Sequence, residues 1–405
     1  MIHYFNPGHE TAVLHASKHY QPAANQVKMQ QELAFLPAWY AQANDCVWME
    51  EELTDAFRKD IQDLDFHVKT ITVHQLEEKR NELSNQGIEL WGISPQSIYR
   101  FEKINKQYDF QWQIPVWKDE LRRLGSRFTA YDVLADLMEG FPDLDKTLLP
   151  KFVGEMSGIE EYRDSHPGRC LVKSPFSSSG RGLVWLLPEV LPRSERQIIS
   201  GMLKKQLQVS IEKVLDKVLD FSMQFEIDAE QHIRFIGYSI FQTNEKGAYK
   251  NNLLAAQEVL EQQITAFIDK EYLLSVRKKL LIILQAIYTP YYIGNIGVDM
   301  LVYRKNNAYC LHPCVEINMR KNMGFLAIAL QHNYLHSENQ GYFQIDYDAS
   351  PDEIIKKQSF LKKQHPIVFE NGRMVSGYLS LCPVTDTSTY YAYLVCKKSP
   401  KIVSL

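Results

Sequence analysis

The sequence predicts a mixed fold, in which an open α/β domain precedes an antiparallel α+β body and a small β-rich C-terminal extension. Early in the chain, short apolar strands alternate with helical patterns, which is typical of open α/β sheets. Further along, turns join most of the predicted strands, and strands joined in this way pair antiparallel. A chain of 405 residues is also too long for one small core. We therefore predict domains at residues 1–120, 121–340 and 341–405.

The N-terminal domain is predicted from three strands and the helical patterns between them. Gln26–Ala43 is predicted to be a helix, because Met29, Leu33 and Leu36 recur with the spacing of one helix face. The strands are short runs bounded by polar residues and lie at Ile2–Phe5, Cys46–Met49 and Phe66–Thr70.

Polar residues follow the first strand directly, in the order Asn6-Pro7-Gly8-His9-Glu10. Asn-Pro-Gly is a turn signal, and the ligands of open α/β sheets collect at the carboxyl ends of the strands. Asn6, His9 and Glu10 are therefore candidate substrate contacts. Capping of the next helix is an equally open role for His9 and Glu10.

The body and the extension are predicted from a further series of elements. Helical patterns and a β-hairpin fall at Phe128–Met138, Asn252–Ile287 (with breaks), Ile296–Asn318 (the hairpin) and Gly324–Tyr334. Strands are predicted at Cys170–Lys173, Leu183–Leu187, Gln206–Val214, Phe221–Ile227, His232–Phe241, Met374–Leu381 and Tyr390–Val395.

Charge and composition exclude several classes of function. A formal net charge of -4 gives no general attraction to nucleic acid or to an acidic membrane surface. No apolar stretch is long enough to span a bilayer, and the sequence opens without the pattern of a secretory signal. The six cysteines form no CxxC pair, which favours reduced thiols. We therefore expect a cytoplasmic protein that binds neither nucleic acid nor membranes.

A loop rich in small residues follows the strand that ends at Lys173. Small residues let several backbone N–H groups turn toward one anion, and serine hydroxyls add further donors. The charges of Lys173 and Arg181 suit phosphate oxygens. An ordinary solvent-exposed loop is the alternative. The candidate phosphate-binding residues are Lys173, Ser177, Ser178, Ser179, Gly180, Arg181 and Gly182.

Oxygen-bearing side chains share one face of the predicted hairpin. Asn306–Asn307 suits a two-residue turn, because asparagine tolerates positive φ, and this turn places Asp299 opposite Cys314. Residues opposed across two strands, or two apart on one strand, share a face. Asp299, Glu316 and Asn318 therefore project to one side. This all-oxygen set suits Mg²⁺ held together with phosphate groups.

Cys310, His312 and Cys314 fall on the same predicted face and raise the alternative of a zinc site. Strand residues two apart rarely surround one tetrahedral ion, and no fourth ligand is evident. Buried or supporting roles are therefore favoured for these three residues.

A polar stretch at Gln242–Asn252 is predicted to be a loop that follows a strand of the body. Its residues Tyr249, Lys250 and Asn251 are candidate contacts for a substrate or for a terminal phosphate. A plain solvent-exposed loop is the alternative.

These segments, in their order and rough spacing, resemble the ATP-grasp superfamily, which includes D-alanine–D-alanine ligase, biotin carboxylase and glutathione synthetase. The resemblance rests on Lys173 with its serine- and glycine-rich loop, on Glu212–Leu215, on Asp299 and on Glu316–Arg320. It covers residues 127–335, half of the chain. Each piece alone is weak, but the ordered combination is specific. The fold it implies is an ATP-grasp fold with a lid at about 150–215.

The resemblance also implies roles for the matching residues in binding ATP. Lys173 is expected near the adenine and the α-phosphate, and the loop at 177–182 over the phosphates. The hinge residues that read the adenine edge are expected at Glu212, Lys213 and Leu215. Asp220 lies near the position of a ribose-binding glutamate, although its side chain is shorter.

Charged residues complete the implied site. The magnesium ligands are expected at Asp299, Glu316 and Asn318, and Arg320 is expected to meet the transferred phosphate or the acyl phosphate. Many members of the family carry a lysine where this chain has Arg127, which keeps the charge and changes the geometry.

The function implied is that of an ATP- and Mg²⁺-dependent ligase, which activates a carboxylate as an acyl phosphate and joins it to an amine. Two alternatives stay open: a kinase on the same scaffold, and a nucleotide-binding module without turnover. The expected partners are small-molecule carboxylate and amine substrates, and residues 341–405 leave room for a contact in a homo-oligomer. The sequence does not identify the two substrates, because fold analogy does not fix them.

Overall fold

A computed structural model describes residues 1–177, 180, 182–188 and 191–398. Its α-helices are α1 His9–His15, α2 Ala24–Glu32, α3 Asp55–Ile61, α4 Arg80–Leu83, α5 Pro95–Tyr108, α6 Glu120–Leu124, α7 Arg127–Gly140, α8 Met156–Ser165, α9 Arg193–Gln206, α10 Gln257–Thr265, α11 Lys270–Tyr288, α12 Met323–Tyr334 and α13 Pro351–Gln364. Its strands are β1 Ile2–Tyr4, β2 Cys46–Trp48, β3 Lys69–Ile71, β4 Ile88–Leu90, β5 Lys151–Val153, β6 Cys170–Lys173, β7 Leu183–Leu186, β8 Val209–Lys213, β9 Asp216–Ile227, β10 Ile233–Thr243, β11 Tyr249–Leu254, β12 Gly294–Lys305, β13 Ala308–Asn318, β14 Gln340–Tyr347, β15 Val368–Glu370, β16 Arg373–Ser380 and β17 Tyr390–Lys397.

The chain forms two compact units, each assembled from segments that are distant in sequence. Unit 1 consists of Met1–Trp117, Lys250–Leu260 and Arg320–Leu405. Unit 2 consists of Lys118–Tyr249 and Glu261–Met319. The domain boundaries predicted at residues 120 and 340 remain a prediction.

Unit 1 contains the open α/β sheet that the sequence predicts. Its four strands are parallel and run in the order β3-β2-β1-β4. Apolar side chains from both faces are buried, with Ile2, Val47 and Ile71 fully covered, as a parallel sheet between helices requires. Because β2 and β4 lie on opposite sides of β1, the direction of winding reverses between β1 and β4.

Strand β11 and the four C-terminal strands pair antiparallel in the order β11-β14-β17-β16-β15. These strands share one hydrophobic core with the segment that precedes β2. The indole of Trp39 is fully buried and donates to the carbonyl of Leu381 at 2.7 Å. The β-rich C-terminal residues predicted from the sequence are therefore integrated into unit 1 by their packing.

A network of ionisable side chains, centred on buried His3, crosses the parallel sheet of unit 1. His3 lies between two carboxylates, with Nε2 2.9 Å from Asp45 and Nδ1 2.9 Å from Glu89. Lys321 pairs with Glu89 at 2.8 Å. Burial opposes charge on His3, but the two carboxylates outweigh it and raise the pKa of His3. Burial likewise opposes charge on the carboxylates, but His3 and Lys321 hold the pKa of Glu89 at about 2.

This network predicts how stability depends on pH. His3 stabilises the fold fully below pH 6.5, its ordinary pKa, and that contribution is lost as pH rises through its raised pKa. Asp45 and Glu89, each with a pKa lowered to about 2, stabilise the fold above their ordinary values and lose this contribution as pH falls toward 2. We expect His3→Gln to remove the loss of stability on the alkaline side in denaturant unfolding from pH 4 to 9. His67→Gln, at an exposed His–Asp pair, is the control and should keep the wild-type profile.

The strands of unit 2 pair antiparallel in two groups, as predicted for the body. One group has the order β13-β12-β9-β10, and the other is a smaller sheet with the order β5-β8-β6-β7. Strand β9 alternates strictly, because Phe221, Met223 and Phe225 are buried on one face while polar Ser222 and Gln224 occupy the other. The smaller sheet has its own core with α8 and α9. The predicted fold class, open α/β followed by antiparallel α+β, is confirmed.

The hairpin of β12 and β13 corrects one predicted pairing. The two-residue turn at Asn306–Asn307 is present, with φ of 50° and 63°, but Asp299 lies opposite Glu316 instead of Cys314. A bulge between Asp299 and Leu301 shifts the register by two residues. Pro313, which has no N–H to give to the ladder, lies in the bulged segment of β13. A shift of two keeps every side chain on its face, so the predicted grouping survives.

Other predicted elements differ in extent. Residues 249–254, predicted as loop and the start of a helix, form β11 because they pair with β14. The predicted helix Gln26–Ala43 ends at Glu32 and is followed by a 3₁₀ helix at Leu36–Trp39, with Pro37 in its first turn. Strand β14 and helix α13 were not predicted.

Candidate functional site

Arg127, at the start of α7, joins three segments of unit 2. Its Nε donates to the carbonyl of Ser174 at 3.0 Å, and its Nη2 donates to Ser177 Oγ at 3.4 Å. The same guanidinium pairs with Glu316 at 3.0 Å. Because the side chain is only 10% exposed, the charge is largely shielded from water. Arg127 therefore links the loop after β6 to the acidic end of β13.

Lys173 and Glu212 form a buried ion pair on the smaller sheet of unit 2. Lys173 ends β6, and its Nζ lies 2.5 Å from Glu212 Oε1 on β8. Lys173 faces Ser210 in the ladder, so the pair with Glu212 is diagonal. The two side chains are 6% and 18% exposed. The hinge residue Lys213 ends β8, and Leu215, half-buried, lies between β8 and β9.

The small-residue loop is closed at its base and held at one side. The amide of Ser174 donates to the carbonyl of Gly182 at 2.9 Å, and Gln206 exchanges two hydrogen bonds with the backbone of Phe176. Gly180 has φ of 75° and leaves only 3.0 Å between a Cβ at its position and the backbone of Ala248. The predicted residues Ser178, Ser179 and Arg181 lie outside the described residues.

Gly182 leads to a prediction about the loop. A Cβ at this position would lie 2.4 Å from Ser177 Cβ and 3.0 Å from Ser174 Cβ, so Gly182→Ala must displace the loop. If the loop contacts phosphate, ATP affinity should fall by about tenfold or more, which is ~1.4 kcal/mol. Gly201→Ala is the control, because nothing lies within 4 Å of its Cβ. In helix α9 this change should leave ATP affinity unaltered and raise the free energy of unfolding by about 0.5–1 kcal/mol. Equal ATP affinity in both variants would contradict a role of the loop.

The carboxylates of Asp299 and Glu316 lie opposite each other on the hairpin. Asn318 is two residues beyond Glu316 on the same face, and its Nδ2 donates to Asp299 Oδ2 at 3.0 Å. Glu316 is 29% exposed and Asp299 is half-buried. The three residues predicted as magnesium ligands are thus brought together.

The chemistry of this donor set fits Mg²⁺. Carboxylate and amide oxygens are hard ligands, and two carboxylates are few enough that water and phosphate oxygens would complete the shell. Among the residues that the structure describes, no three side chains of the types His, Cys, Asp and Glu are grouped to hold a metal ion. The set consists of two carboxylates, Asp299 and Glu316, and the third protein oxygen is that of the Asn318 amide.

Further polar residues share this face of the sheet and were not predicted as part of the site. Ser222 lies opposite Asp299 on β9, and Gln224 Nε2 donates to its hydroxyl at 2.7 Å. His312 lies opposite Leu301 and is buried, with no hydrogen-bond partner for Nδ1 among the described residues. Burial and the nearby charge of Lys173 lower the pKa of His312 to about 3, so the ring is neutral. The alternation of β9 was the signal that could have identified Ser222 and Gln224.

Asp220 is engaged within unit 2. Lys217 Nζ donates to Asp220 Oδ2 at 2.6 Å and to the hydroxyl of Thr243 at 2.6 Å. Asp220 also faces Leu301 across the ladder, one row along the strands from Asp299 and Ser222. It thus shares the face of the acidic pair, and its role as a ribose contact remains a prediction.

The cysteines and His312 of the C-x-H-x-C pattern do not converge. Cys310 is half-buried near the turn of the hairpin, whereas Cys314 is buried and donates to the carbonyl of Ala130 at 3.6 Å. Burial, aided by the charges of Asp299 and Glu316, raises the pKa of Cys314 well above its ordinary value. Their surroundings favour a structural role for these residues over a role as metal ligands.

The substrate candidates of the N-terminal region belong to unit 1. Asn6 Nδ2 donates to the carbonyl of Gly92 at 2.7 Å, and the amide of Gly92 donates to Asn6 Oδ1 at 3.1 Å. Arg320 Nε donates to Glu10 Oε1 at 2.6 Å, and His9 Nδ1 lies 3.3 Å from Glu10 Oε2. All of these side chains except Arg320 are buried. The structure therefore groups Arg320 with His9 and Glu10, which the sequence analysis had treated separately.

The candidates Tyr249, Lys250 and Asn251 lie on strand β11. Tyr249 is the last residue of the first segment of unit 2, whereas Lys250 and Asn251 belong to unit 1, where Asn251 pairs with Gln344. Lys250 is exposed and the other two are half-buried. Their role as substrate contacts remains a prediction.

Comparisons with known proteins give a limited result. No protein-family model matches the sequence, and no curated protein matches it. Among solved structures, the chain is similar to N5-carboxyaminoimidazole synthetase from Staphylococcus aureus complexed with ADP, with 15% identity and a TM-score of 0.47 over 97% of this chain and 92% of that one. It is also similar to the biotin carboxylase–β,γ-ATP complex from Campylobacter jejuni, with 11% identity and a TM-score of 0.45 over 98% and 87%.

Within the described ranges, no helix combines the length and the apolar character needed to cross a membrane.

Proposed function

We propose that the protein is an ATP-grasp enzyme, which uses ATP and Mg²⁺ to activate a carboxylate as an acyl phosphate and joins it to an amine. One observation carries the proposal. Arg127 joins the small-residue loop to Glu316, and Glu316 lies opposite Asp299 on a sheet face that also carries Ser222. Cationic and acidic groups thus converge beside a loop suited to phosphate.

The cations of unit 2 suit a nucleoside triphosphate. Arg127 and Ser177 offer donors to phosphate oxygens, and Lys173 offers a charge that burial makes effective. Each cation has a carboxylate partner, Glu316 and Glu212 respectively, which fixes its position before a ligand binds. Such preorganised donors lower the cost of stabilising charge that develops during phosphoryl transfer.

Asp299, Glu316 and Asn318 would hold the magnesium ion, which when bound neutralises charge on the phosphates and orients them. Their oxygens lie on one face of β12 and β13, so the strands fix their relative positions. Ser222, buried opposite Asp299, limits the space available to that carboxylate.

The proposed ligase reaction has two steps. A substrate carboxylate oxygen attacks the γ-phosphorus, the bond to the β,γ-bridging oxygen breaks, and ADP leaves. The amine nitrogen of the second substrate then attacks the carbonyl carbon of the acyl phosphate, phosphate leaves, and the nitrogen loses a proton. Arg320, which unit 1 positions by its bond to Glu10, supplies positive charge for the carboxylate and the acyl phosphate.

A kinase on the same scaffold is the second candidate, because it needs the same nucleotide residues. Product stoichiometry separates the two. Purified protein is incubated with MgATP and mixtures of carboxylates and amines, and both ADP and free phosphate are measured. A ligase releases the two in equal amounts only when both substrates are present. ADP release without free phosphate would identify a kinase, and the absence of both would favour a module without turnover.

We also propose a cytoplasmic location. All six cysteines are free and five of them are buried, which is the state expected of thiols in a reducing compartment.

A further inference from the structure

Arg127 is anchored in unit 2 at its backbone and at the middle of its side chain. Its amide donates to the carbonyl of Pro175 at 3.1 Å, and its Nε donates to the carbonyl of Ser174 at 3.0 Å. Both acceptors belong to the loop that follows β6. Nη2, at the end of the side chain, lies 3.0 Å from the carboxylate of Glu316 and also donates to Ser177 Oγ at 3.4 Å. An anchored guanidinium therefore contacts one of the predicted metal ligands.

Both carboxylates of the predicted metal site are engaged by N–H groups of the protein. Glu316 Oε1 faces the guanidinium of Arg127 at 3.0 Å, and Asp299 Oδ2 accepts from the Asn318 amide at 3.0 Å. Asn318 thus presents its nitrogen to Asp299, whereas a metal ion takes the amide oxygen. A cation that binds all three side chains must compete with these two contacts.

The charge of Arg127 adds a second obstacle to a metal ion that arrives alone. Asp299 and Glu316 each carry a negative charge, and Arg127 cancels one of the two. A divalent ion would therefore leave the group with an excess of positive charge. The guanidinium is only 10% exposed, so water screens this repulsion weakly. A triphosphate that binds with the ion brings several negative charges and removes the excess.

We propose that Arg127 exchanges partners. Without nucleotide its Nη2 pairs with Glu316, and when nucleotide binds this contact passes to a phosphate oxygen, which leaves Glu316 to the metal ion. A guanidinium suits the exchange, because its planar fork binds phosphate as well as carboxylate. The bonds to Ser174 and Pro175 keep the side chain in place during the change. Arg127 is thereby a positioning residue for the metal ion as well as a phosphate donor.

This exchange rests on the proposed function and adds a property that the proposed function does not require. Metal ion and nucleotide each strengthen the binding of the other, and by linkage the factor is the same in both directions. Part of that factor is set by the Arg127–Glu316 pair, which is broken only once. If Arg127 contacted phosphate without restraining Glu316, its removal would leave the affinity for a metal ion alone unchanged.

The test measures binding of Mn²⁺, which prefers the same oxygen ligands as Mg²⁺, to the full chain without nucleotide. Electron paramagnetic resonance reports the free Mn²⁺ in each titration. We expect Arg127→Gln to bind Mn²⁺ about tenfold more tightly than wild type, an effect between those of exposed and buried charge pairs. Arg127→Lys keeps the charge and should stay within about threefold of wild type. Adding Glu316→Gln to Arg127→Gln should abolish the gain.

Arg234→Gln is the matched control. Arg234 pairs with Glu226 on neighbouring strands of the same sheet, so this variant also loses one positive charge and releases one carboxylate. Glu226 lies opposite Asn295 on β12, whereas Glu316 lies opposite a second carboxylate. The affinity of Arg234→Gln for Mn²⁺ should therefore equal that of the wild type. Denaturant unfolding of each variant establishes that it is folded.

Titration of Mn²⁺ in the presence of ATP gives the second readout. ATP should strengthen Mn²⁺ binding to the wild type, and Arg127→Gln should reduce this factor by about tenfold, the gain it shows without ATP. The affinity of ATP for Mn²⁺ in solution is common to both proteins, so the difference belongs to the site. If the wild type binds MnATP but Arg127→Gln binds Mn²⁺ no more tightly, the exchange is wrong and the nucleotide site stands. If the wild type binds no MnATP, the proposed function is wrong and the exchange falls with it.

Discussion

Glu316→Gln should reduce the gain in ATP affinity that Mg²⁺ provides by about 10²-fold, the scale observed when a direct contact to developing or bound charge is lost. The substitution keeps the shape of the side chain and removes the negative charge that would attract the metal ion. Asp299 would then be the last carboxylate of the set. The measurement is the dissociation constant of ATP with and without Mg²⁺ by calorimetry.

Glu226→Gln is the matched control for this change. Glu226 lies on β9 of the same sheet, its side chain is 27% exposed against 29% for Glu316, and it also pairs with an arginine, Arg234. Both variants lose one ion pair, so general effects on the fold should be alike. If Mg²⁺ still strengthens ATP binding to the Glu316 variant as much as to the control, these carboxylates are structural.

Lys173→Met should both destabilise unit 2 and remove most of the affinity for ATP. The variant leaves Glu212, 18% exposed, without its partner at 2.5 Å, and an uncompensated carboxylate in such a place costs about 3 kcal/mol. Denaturant unfolding measures the first effect, and calorimetric titration of MgATP measures the second.

A double-mutant cycle with Glu212→Gln separates the two roles of Lys173. Removing the carboxylate as well should restore much of the stability, because neither partner is then left charged and alone. It should not restore ATP binding if Lys173 contacts the nucleotide. Recovery of both properties in the double variant would show that Lys173 acts only through the fold.

The sequence was sufficient to predict which residues share a face of the hairpin. It was not sufficient to predict which residues lie opposite each other on the two strands. Alternation along β12 and β13 has a period of two, and the register differs from the predicted one by two residues, so Asp299, Glu316 and Asn318 were grouped correctly. The bulge that places Asp299 opposite Glu316 depends on how the strands meet around Pro313, and a turn at Asn306–Asn307 does not determine that.

Contacts between distant segments were beyond sequence reasoning. The sequences around Arg320 and Glu10 do not indicate that the two side chains lie 2.6 Å apart. The residues are separated by 310 positions, and only the tertiary fold brings them together. The strand at 249–254 was missed for a related reason. Its residues are largely polar, and it is a strand because its backbone pairs with that of β14. Pairing of this kind overrides local preference.

We propose that this chain binds ATP in a magnesium-dependent manner through unit 2. The most direct measurement is a thermal-shift titration of the wild-type protein with ATP, with Mg²⁺ and with excess chelator. We expect a concentration-dependent rise in Tm that is larger with Mg²⁺, as mass action requires for a ligand of the folded state. An unchanged Tm at millimolar MgATP would contradict it.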